Sequence, residues 1–435
     1  MTKSFQCSVL AGLSLLTLAA SATPMIVPGS VSCEQNLATK LVTVTYTLGD
    51  ANNLEPAIVT VDFETNVTGT AEGPWRSIGA KHFRDLAGAV NRVVEPGAHT
   101  ITWCPDKGWP NHIVANGNFR ATVRAWSKDD PPDYMAFVFA TPAQFRFYPC
   151  EDALPGGIES DFWRRDSLLM RRIHAAGVAW RMGSPPEEVG RKGSSENTRL
   201  VTLSQDYFIG VFPFTLGNYI QVMHNGTADN PPEDWLRQMV DWSWESIRYN
   251  NSSVSPDGGT WPVDKAVHQN SIIGKLRSKT GIASFDLPTA AQWQFACRAG
   301  TRTGRFTGDE SPLPWSDRWS TSVDVVMNDY AWYAGNSTGL PAKVGSKLPN
   351  PWGLYDMYGA TYEWCLDWES SSVPTEPAVD PLGPNTGSNR LTCGGAWNCG
   401  VPFCRSAVQT AFAPNTNYKG SSIIGFRVVC GIDIP

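Results

Sequence analysis

The chain has 435 residues, 42% hydrophobic and 17% charged, enough for one large or two ordinary domains. A formal net charge of -6 argues against a general binder of nucleic acid or of anionic membranes. Eighteen Trp, 39 Gly and 32 Pro point to a loop-rich fold rather than a helical bundle.

Residues 1–22 read as a signal peptide. Lys3 gives a positive start, Val9 to Ala20 an apolar core too short to span a bilayer comfortably, and Ala20-Ser21-Ala22 a small-x-small cleavage site. An exported chain is therefore expected (secreted, periplasmic or at the cell surface), where disulfides persist. No later segment is long and apolar enough for a membrane span. Loss of Cys7 with the signal leaves nine of the ten cysteines, an odd number, so at least one is expected to be free, metal-bound or intermolecular.

Residues 23–148 predict an all-β sandwich of immunoglobulin or fibronectin type. Val42, Val44 and Tyr46 alternate with Thr43 and Thr45, and Val59, Val61 and Phe63 with Thr60 and Asp62. Further strand-like runs cover His99 to Cys104, Phe119 to Trp126 and Met135 to Phe139. Turn signals at Gly49-Asp50, Pro96-Gly97, Asn116-Gly117 and Pro131-Pro132 separate them. His82, His99 and His112 lack metal-ligand spacing and read as surface or packing residues. Residues 149–178 read as a linker with a short helix over Ile158 to Arg172, its Arg164-Arg165 and Arg171-Arg172 pairs solvated.

Residues 179–435 alternate short strands, helices and long loops. Val201 to Phe212 is strand-like; Thr215 caps a helix whose Leu216, Tyr219, Ile220 and Met223 share a face. Helices are also expected over Trp235 to Ile247 and over Asp264 to Thr280, the latter ended by Gly281. The best-defined element is Ala290 to Ala299. Thr289 and Gln292 form a capping box, and Trp293, Ala296 and Cys297 point inward. His174, His224 and His268 are isolated, and Asp367 reads as an anchor for loop backbone rather than an acid or base. There is no GxSxG, HExxH or phosphate-cradling glycine motif.

Five stretches lie in order along this part of the chain. They are Arg181-Met182-Gly183-Ser184; the Tyr207 to Tyr219 run; LPTAAQWQFACRAGT from Leu287; NPWGLYDMYGATYEWCLDW from Asn350; and GGAW, CRSA and GFRVV between Gly394 and Val429. Together they resemble the formylglycine-generating enzyme (sulfatase-modifying factor) family. The resemblance implies a loop-rich α+β fold related to C-type lectin-like domains. It also implies oxidation, by dioxygen, of a cysteine in an unfolded sulfatase peptide, with copper(I) held by two cysteines five positions apart. Cys399, after Gly394-Gly395-Ala396-Trp397-Asn398, and Cys404 match that spacing, and two soft sulfurs suit copper(I).

Two positions depart from the family pattern. Its serine is Ala396 here, and the arginine-rich tract after the second cysteine is absent, since Cys404 runs straight into Arg405-Ser406-Ala407. Three states of the pair stay open: a copper site, a structural disulfide, or free thiols. The resemblance further implies structural calcium at Glu363, within Gly359-Ala360-Thr361-Tyr362-Glu363-Trp364, and at a second segment starting near Asn336. It suggests a Cys297–Cys430 bridge. Two activities compete: a copper-dependent oxidase of peptidyl cysteine, and a catalytically inactive, lectin-like scaffold whose Trp-rich surface binds an extracytoplasmic protein or glycan.

Overall fold

The computed structural model describes residues 23–49, 55–66, 74–83, 85–108, 110, 118–140, 143–227, 234–240, 242–249, 267–340, 343–415 and 422–434. The expected signal peptide, His112, the Asn116-Gly117 turn and the start of the Asp264 helix lie outside the described residues. Among the described residues no helix is long and apolar enough to cross a membrane.

The N-terminal part is built from antiparallel strands. One sheet runs in the order Ser32–Gln35, Val42–Leu48, Gly97–Trp103, Ala87–Gly88. A second places Trp75–Ser77, Arg92–Val94 and Phe119–Trp126 against Ala57–Asn66. Val42, Val44, Tyr46 and Leu48 point into a shared core while Thr43, Thr45 and Thr47 point out, as a half-buried strand requires. Phe63 stacks on Trp103 at 4.7 Å and meets Phe83 edge-on at 5.1 Å, closing that core.

The strand expected over Met135 to Phe139 forms, but not in that sandwich. Tyr134–Val138 and Gln144–Tyr148 make a hairpin that pairs with Ser167–Ile173, and the sheet continues through Tyr207–Gly210 to Val429–Cys430. The hairpin thus shares its sheet with strands that follow residue 148 rather than with the two N-terminal sheets. The end of the helix expected over Ile158 to Arg172 is this central strand, and only Phe162–Arg165 is helical. A short apolar run such as Ser167-Leu168-Leu169-Met170 fits either state, and pairing on both sides decided for the strand. Nor are its arginines all solvated. Arg164 is fully buried with its guanidinium 4.4 Å over Phe212, and Arg172 reaches Asp206 at 2.8 Å.

Three nine-residue helices follow the sequence signals closely. Leu216–His224 carries a complete capping box from Thr215 and Asn218, although Ile220 and Val222, not Leu216 and Met223, are its buried apolar residues. Ile272–Thr280 begins only after Ser271, so Val267 to Asn270 of the helix expected over Asp264 to Thr280 are not helical, and it ends on left-handed Gly281 as expected. Ala290–Arg298 has the Thr289/Gln292 box and is buried along its whole length. Asp367 Oδ2 accepts from the first amide of that helix, Ala290 N–H, at 2.7 Å, the anchoring role expected of it. The helix expected over Trp235 to Ile247 shrinks to Trp244–Tyr249.

Buried ion pairs tie the loops to these elements. Arg405 joins Glu188 and Glu196, Arg248 joins Asp286, and Arg427 joins Glu363, each pair at most 3% exposed. Asp356, by contrast, is buried with no ion-pair partner among the described residues, accepting from Gly345 N–H at 2.6 Å. Burial pushes its pKa up to about 6. A carboxyl whose folded pKa lies above its unfolded value holds its proton more tightly in the fold. The resulting penalty is absent below about pH 4, grows as pH rises to about 6, and is constant above, at up to about 3 kcal/mol. Asp356 also sits at φ 54°, a left-handed conformation that Asn tolerates well. Asp356→Asn is therefore expected to raise the urea midpoint at pH 7.5 and to leave it unchanged at pH 3.5. Equal shifts at both pH values would contradict the titration argument.

Candidate functional site

The thiol loop is shaped by its glycines. Gly394 and Gly395 lie at φ 93° and 78°, the left-handed region. A Cβ on Gly395 would come within 2.9 Å of Phe403 Cβ, and one on Gly394 within 3.2 Å of the Trp293 ring. The loop therefore rests directly on the Ala290–Arg298 helix. Cys399 N–H donates to Ala396 O, the short 3-10 turn Val401–Phe403 follows, and Cys404 N–H donates to Val401 O. Cys399 O accepts from Ala334 N–H at 2.8 Å and pins the loop to its neighbour.

Both sulfurs are sealed in. Cys399 and Cys404 are each 1% exposed, and each is a free thiol. The Tyr362 hydroxyl lies 2.9 Å from Cys399 Sγ. Burial pushes the Cys399 thiol up to about 11, opposed by the Tyr362 hydroxyl, and the Cys404 thiol up to about 12, opposed by the Arg305 guanidinium. Both are protonated at neutral pH. Arg305 is itself fully buried, paired with Asp324 at 2.8 Å and Asp309 at 2.9 Å, and its Nε and Nη2 have no acceptor among the described residues. Sequence reasoning missed Arg305, Asp324 and Tyr362, because only the fold brings them to the thiols.

The donor chemistry separates the two expected metals. Two sulfurs are the donor type copper(I) prefers; were it bound, Cys399 and Cys404 would be its ligands after both protons leave. Calcium does not fit. Glu363 accepts from Trp293 Nε1 at 2.7 Å, and from Arg427 Nε at 2.6 Å and Nη2 at 2.7 Å, so both its oxygens face donors rather than a cation. Asn336 Oδ1 accepts from Tyr333 N–H, and its Nδ2 donates to Asn328 Oδ1 and Ala331 O, which closes a loop; among the described residues no cluster of three or more His, Cys, Asp or Glu could hold a metal.

The expected Cys297–Cys430 bridge is not formed. Cys297 Sγ lies 3.7 Å from Ser406 Oγ, and Cys430 sits in the sheet opposite Phe208. The close sulfur contact is elsewhere, Cys365 to Cys393 at 3.8 Å across neighbouring strands. The Cys399–Cys404 pair is likewise unbridged. All nine described cysteines are free.

Trp103, Trp163, Trp244, Trp293 and Trp364 are fully buried, and the other described tryptophans, Trp319 apart, are partly buried. The exception beside the thiol loop is Trp319, 60% exposed, its ring 5.2 Å from that of Phe403. Trp315 contacts the same Phe403 at 4.8 Å, and Arg318 spans Trp315 and Trp319. Arg318 O accepts from Gly400 N–H, so this segment is bonded to the thiol loop. Val323, Val325 and Val326 follow it, 62%, 82% and 41% exposed. Exposed apolar side chains thus cluster in sequence over 319–326, a segment bonded to the thiol loop through Arg318.

A family profile described as "Sulfatase-modifying factor enzyme 1-like domain" matches residues 176–432. The formylglycine-generating enzyme of Streptomyces coelicolor is 35% identical over 149 residues, which cover 34% of this chain and 47% of that protein. Its Bos taurus counterpart is 29% identical over 151 residues, 34% of this chain and 38% of that one. The chain therefore spans under half the length of these enzymes. "Chaperone protein LppX" of Paenibacillus barcinonensis is 27% identical over 237 residues, 51% of this chain and 80% of that protein. Among solved structures, Treponema denticola variable protein 1 aligns at a TM-score of 0.44 and 23% identity, over 61% of this chain and 95% of that one.

Proposed function

Because the chain belongs to the sulfatase-modifying factor enzyme 1-like family, we propose that it is an exported member that binds extended polypeptide without oxidising it. The observation that carries this reading is the exposed strip Trp319, Val323, Val325 and Val326 beside two thiols that are 1% exposed. Apolar side chains held in water favour an apolar polypeptide segment as ligand, and Arg318 adds a charge for its backbone carbonyls. The relative named as a chaperone supports the same reading, and Ala396, buried where the family has serine, offers no hydroxyl beside the sulfurs. In this reading the N-terminal sheets form an immunoglobulin-type spacer that presents the strip.

Fluorescence anisotropy with a labelled, reduced and carboxymethylated protein as ligand tests it. Trp319→Ser and Val325→Ser are expected to weaken binding about 10-fold or more each, in the range of a buried aromatic anchor. Undiminished binding in both variants would end the proposal.

A second reading, the copper-dependent oxidase of a sulfatase-like peptide, is favoured by the pairing of Cys399 and Cys404 in one buried cluster next to Arg305. Here the chain's own residues would hold the ion through two sulfurs, with the peptide laid along the Trp319 strip. Copper(I) titration of the reduced protein separates the readings. The binding reading expects neither tight stoichiometric uptake nor conversion of a peptide cysteine to an aldehyde. It also expects iodoacetamide at pH 8 to leave both thiols unlabelled until the fold is denatured, since their raised pKa values and burial both oppose reaction. Stoichiometric uptake lost in Cys399→Ser would favour the oxidase.

A further inference from the structure

A cavity of about 950 Å³ opens between the N-terminal sheets and the second unit, sharing no residue with the thiol loop or the Trp319 strip. Its floor is held in place by Phe147 N–H donating to Asn91 O at 2.9 Å. Two arginines line it, Arg92 from the Arg92–Val94 strand and Arg146 from Gln144–Tyr148. Neither forms a salt bridge among the described residues; Arg146 Nη2 donates only to the neutral side chain of Gln144. Burial holds the Arg146 guanidinium below its ordinary range, and Arg92 beside it acts in the same direction; Tyr148 opposes them.

The acid that lines the same cavity does not neutralise them. Glu159 is 80% exposed at its side chain and lies 3.8 Å from Arg164. Two guanidinium groups therefore converge, one of them half-buried, in a chain whose net charge is -6. A half-buried guanidinium and an exposed one lining the same cavity repel each other and favour an anion between them. The rest of the wall mixes apolar Leu86, Val138 and Phe162 with polar Asn91, Gln144 and Ser160.

We infer that this cleft between the two units binds a small oxyanion-bearing molecule, its carboxylate, sulfate or phosphate gripped by Arg92 and Arg146 and its body packed on Leu86, Val138 and Phe162. A guanidinium fork matches such groups through paired N–H donors, and a half-apolar cavity of this size holds a body beyond the anion itself. The inference is independent of the peptide-binding reading, since it concerns a different face.

Calorimetric titration of the full chain with glucuronate, glucose 6-sulfate and glucose 6-phosphate tests it and identifies the anion. At least one is expected to bind saturably with 1:1 stoichiometry. Its affinity should fall about 10-fold or more in both Arg146→Gln and Arg92→Gln, as when a bidentate charged contact is lost. Arg92 is exposed, so its variant keeps the test open if Arg146→Gln fails to fold. Arg165→Gln, which removes an arginine paired with Asp166 outside the cavity, is expected to change nothing. Saturable binding of none of the three, or binding equally retained in both cavity variants, would overturn the inference.

Discussion

Arg427→Met is expected to lower the free energy of unfolding by about 3–5 kcal/mol, the loss seen when one partner of a buried pair is removed. Arg427 is fully buried and donates to both oxygens of Glu363, to Gly210 O at 2.9 Å and to Tyr355 O at 2.9 Å. It thus joins the strand that carries Glu363 to the end of the Tyr207–Gly210 strand. Removing it strands a carboxylate 1% exposed and two carbonyls. Chemical denaturation of the single variant, of Glu363→Gln, and of Glu363→Gln/Arg427→Met checks the cause. The double variant should regain part of the loss because no buried charge is left unpaired. A single-variant loss below about 1 kcal/mol would mean that the pair contributes no more than a surface pair does.

Trp293→Ala is expected to cost a similar about 3–5 kcal/mol through the cavity it leaves. Trp293 is fully buried on a helix with no exposed face, and its Nε1 donates to the same Glu363. Trp293→Phe fills most of the volume but removes the donor, and should lose about 1–3 kcal/mol. The two variants separate packing from hydrogen bonding. Because the Gly394 backbone sits on this ring, the alanine variant should also loosen the thiol loop and let iodoacetamide reach Cys399 and Cys404 in the folded protein. Unchanged labelling alongside a large stability loss would show that the loop is held by Cys399 O and Gly400 N–H alone.

These two residues also show how far local signals reach. Trp293 was legible because its helix carries its own start signal, the Thr289/Gln292 box, and an inward face. Arg427 stood in plain view in Gly425-Phe426-Arg427, yet nothing local to it names Glu363, 64 residues away. The same acid looked like a calcium ligand because a carboxylate's chemistry reads alike in a string whether a cation or a guanidinium meets it. Cys399 and Cys404 were found by spacing. Their protonation depends on Tyr362 and Arg305, which come from other parts of the chain.

The amino-acid sequence by itself determined what depends on neighbours along the chain: the alternating strands around Val44 and Val61, the three capped helices, and the ordered motifs that place residues 176–432 in their family. Only the tertiary structure decided the rest. It made Ser167–Ile173 a central strand, moved the Tyr134–Tyr148 hairpin into the second unit, satisfied Glu363 with Arg427, and brought Arg92 and Arg146 to one cleft. The physical reason is range. Capping and alternation act over a few residues, whereas strand pairing, desolvation and charge compensation depend on partners that only the closed chain brings within reach.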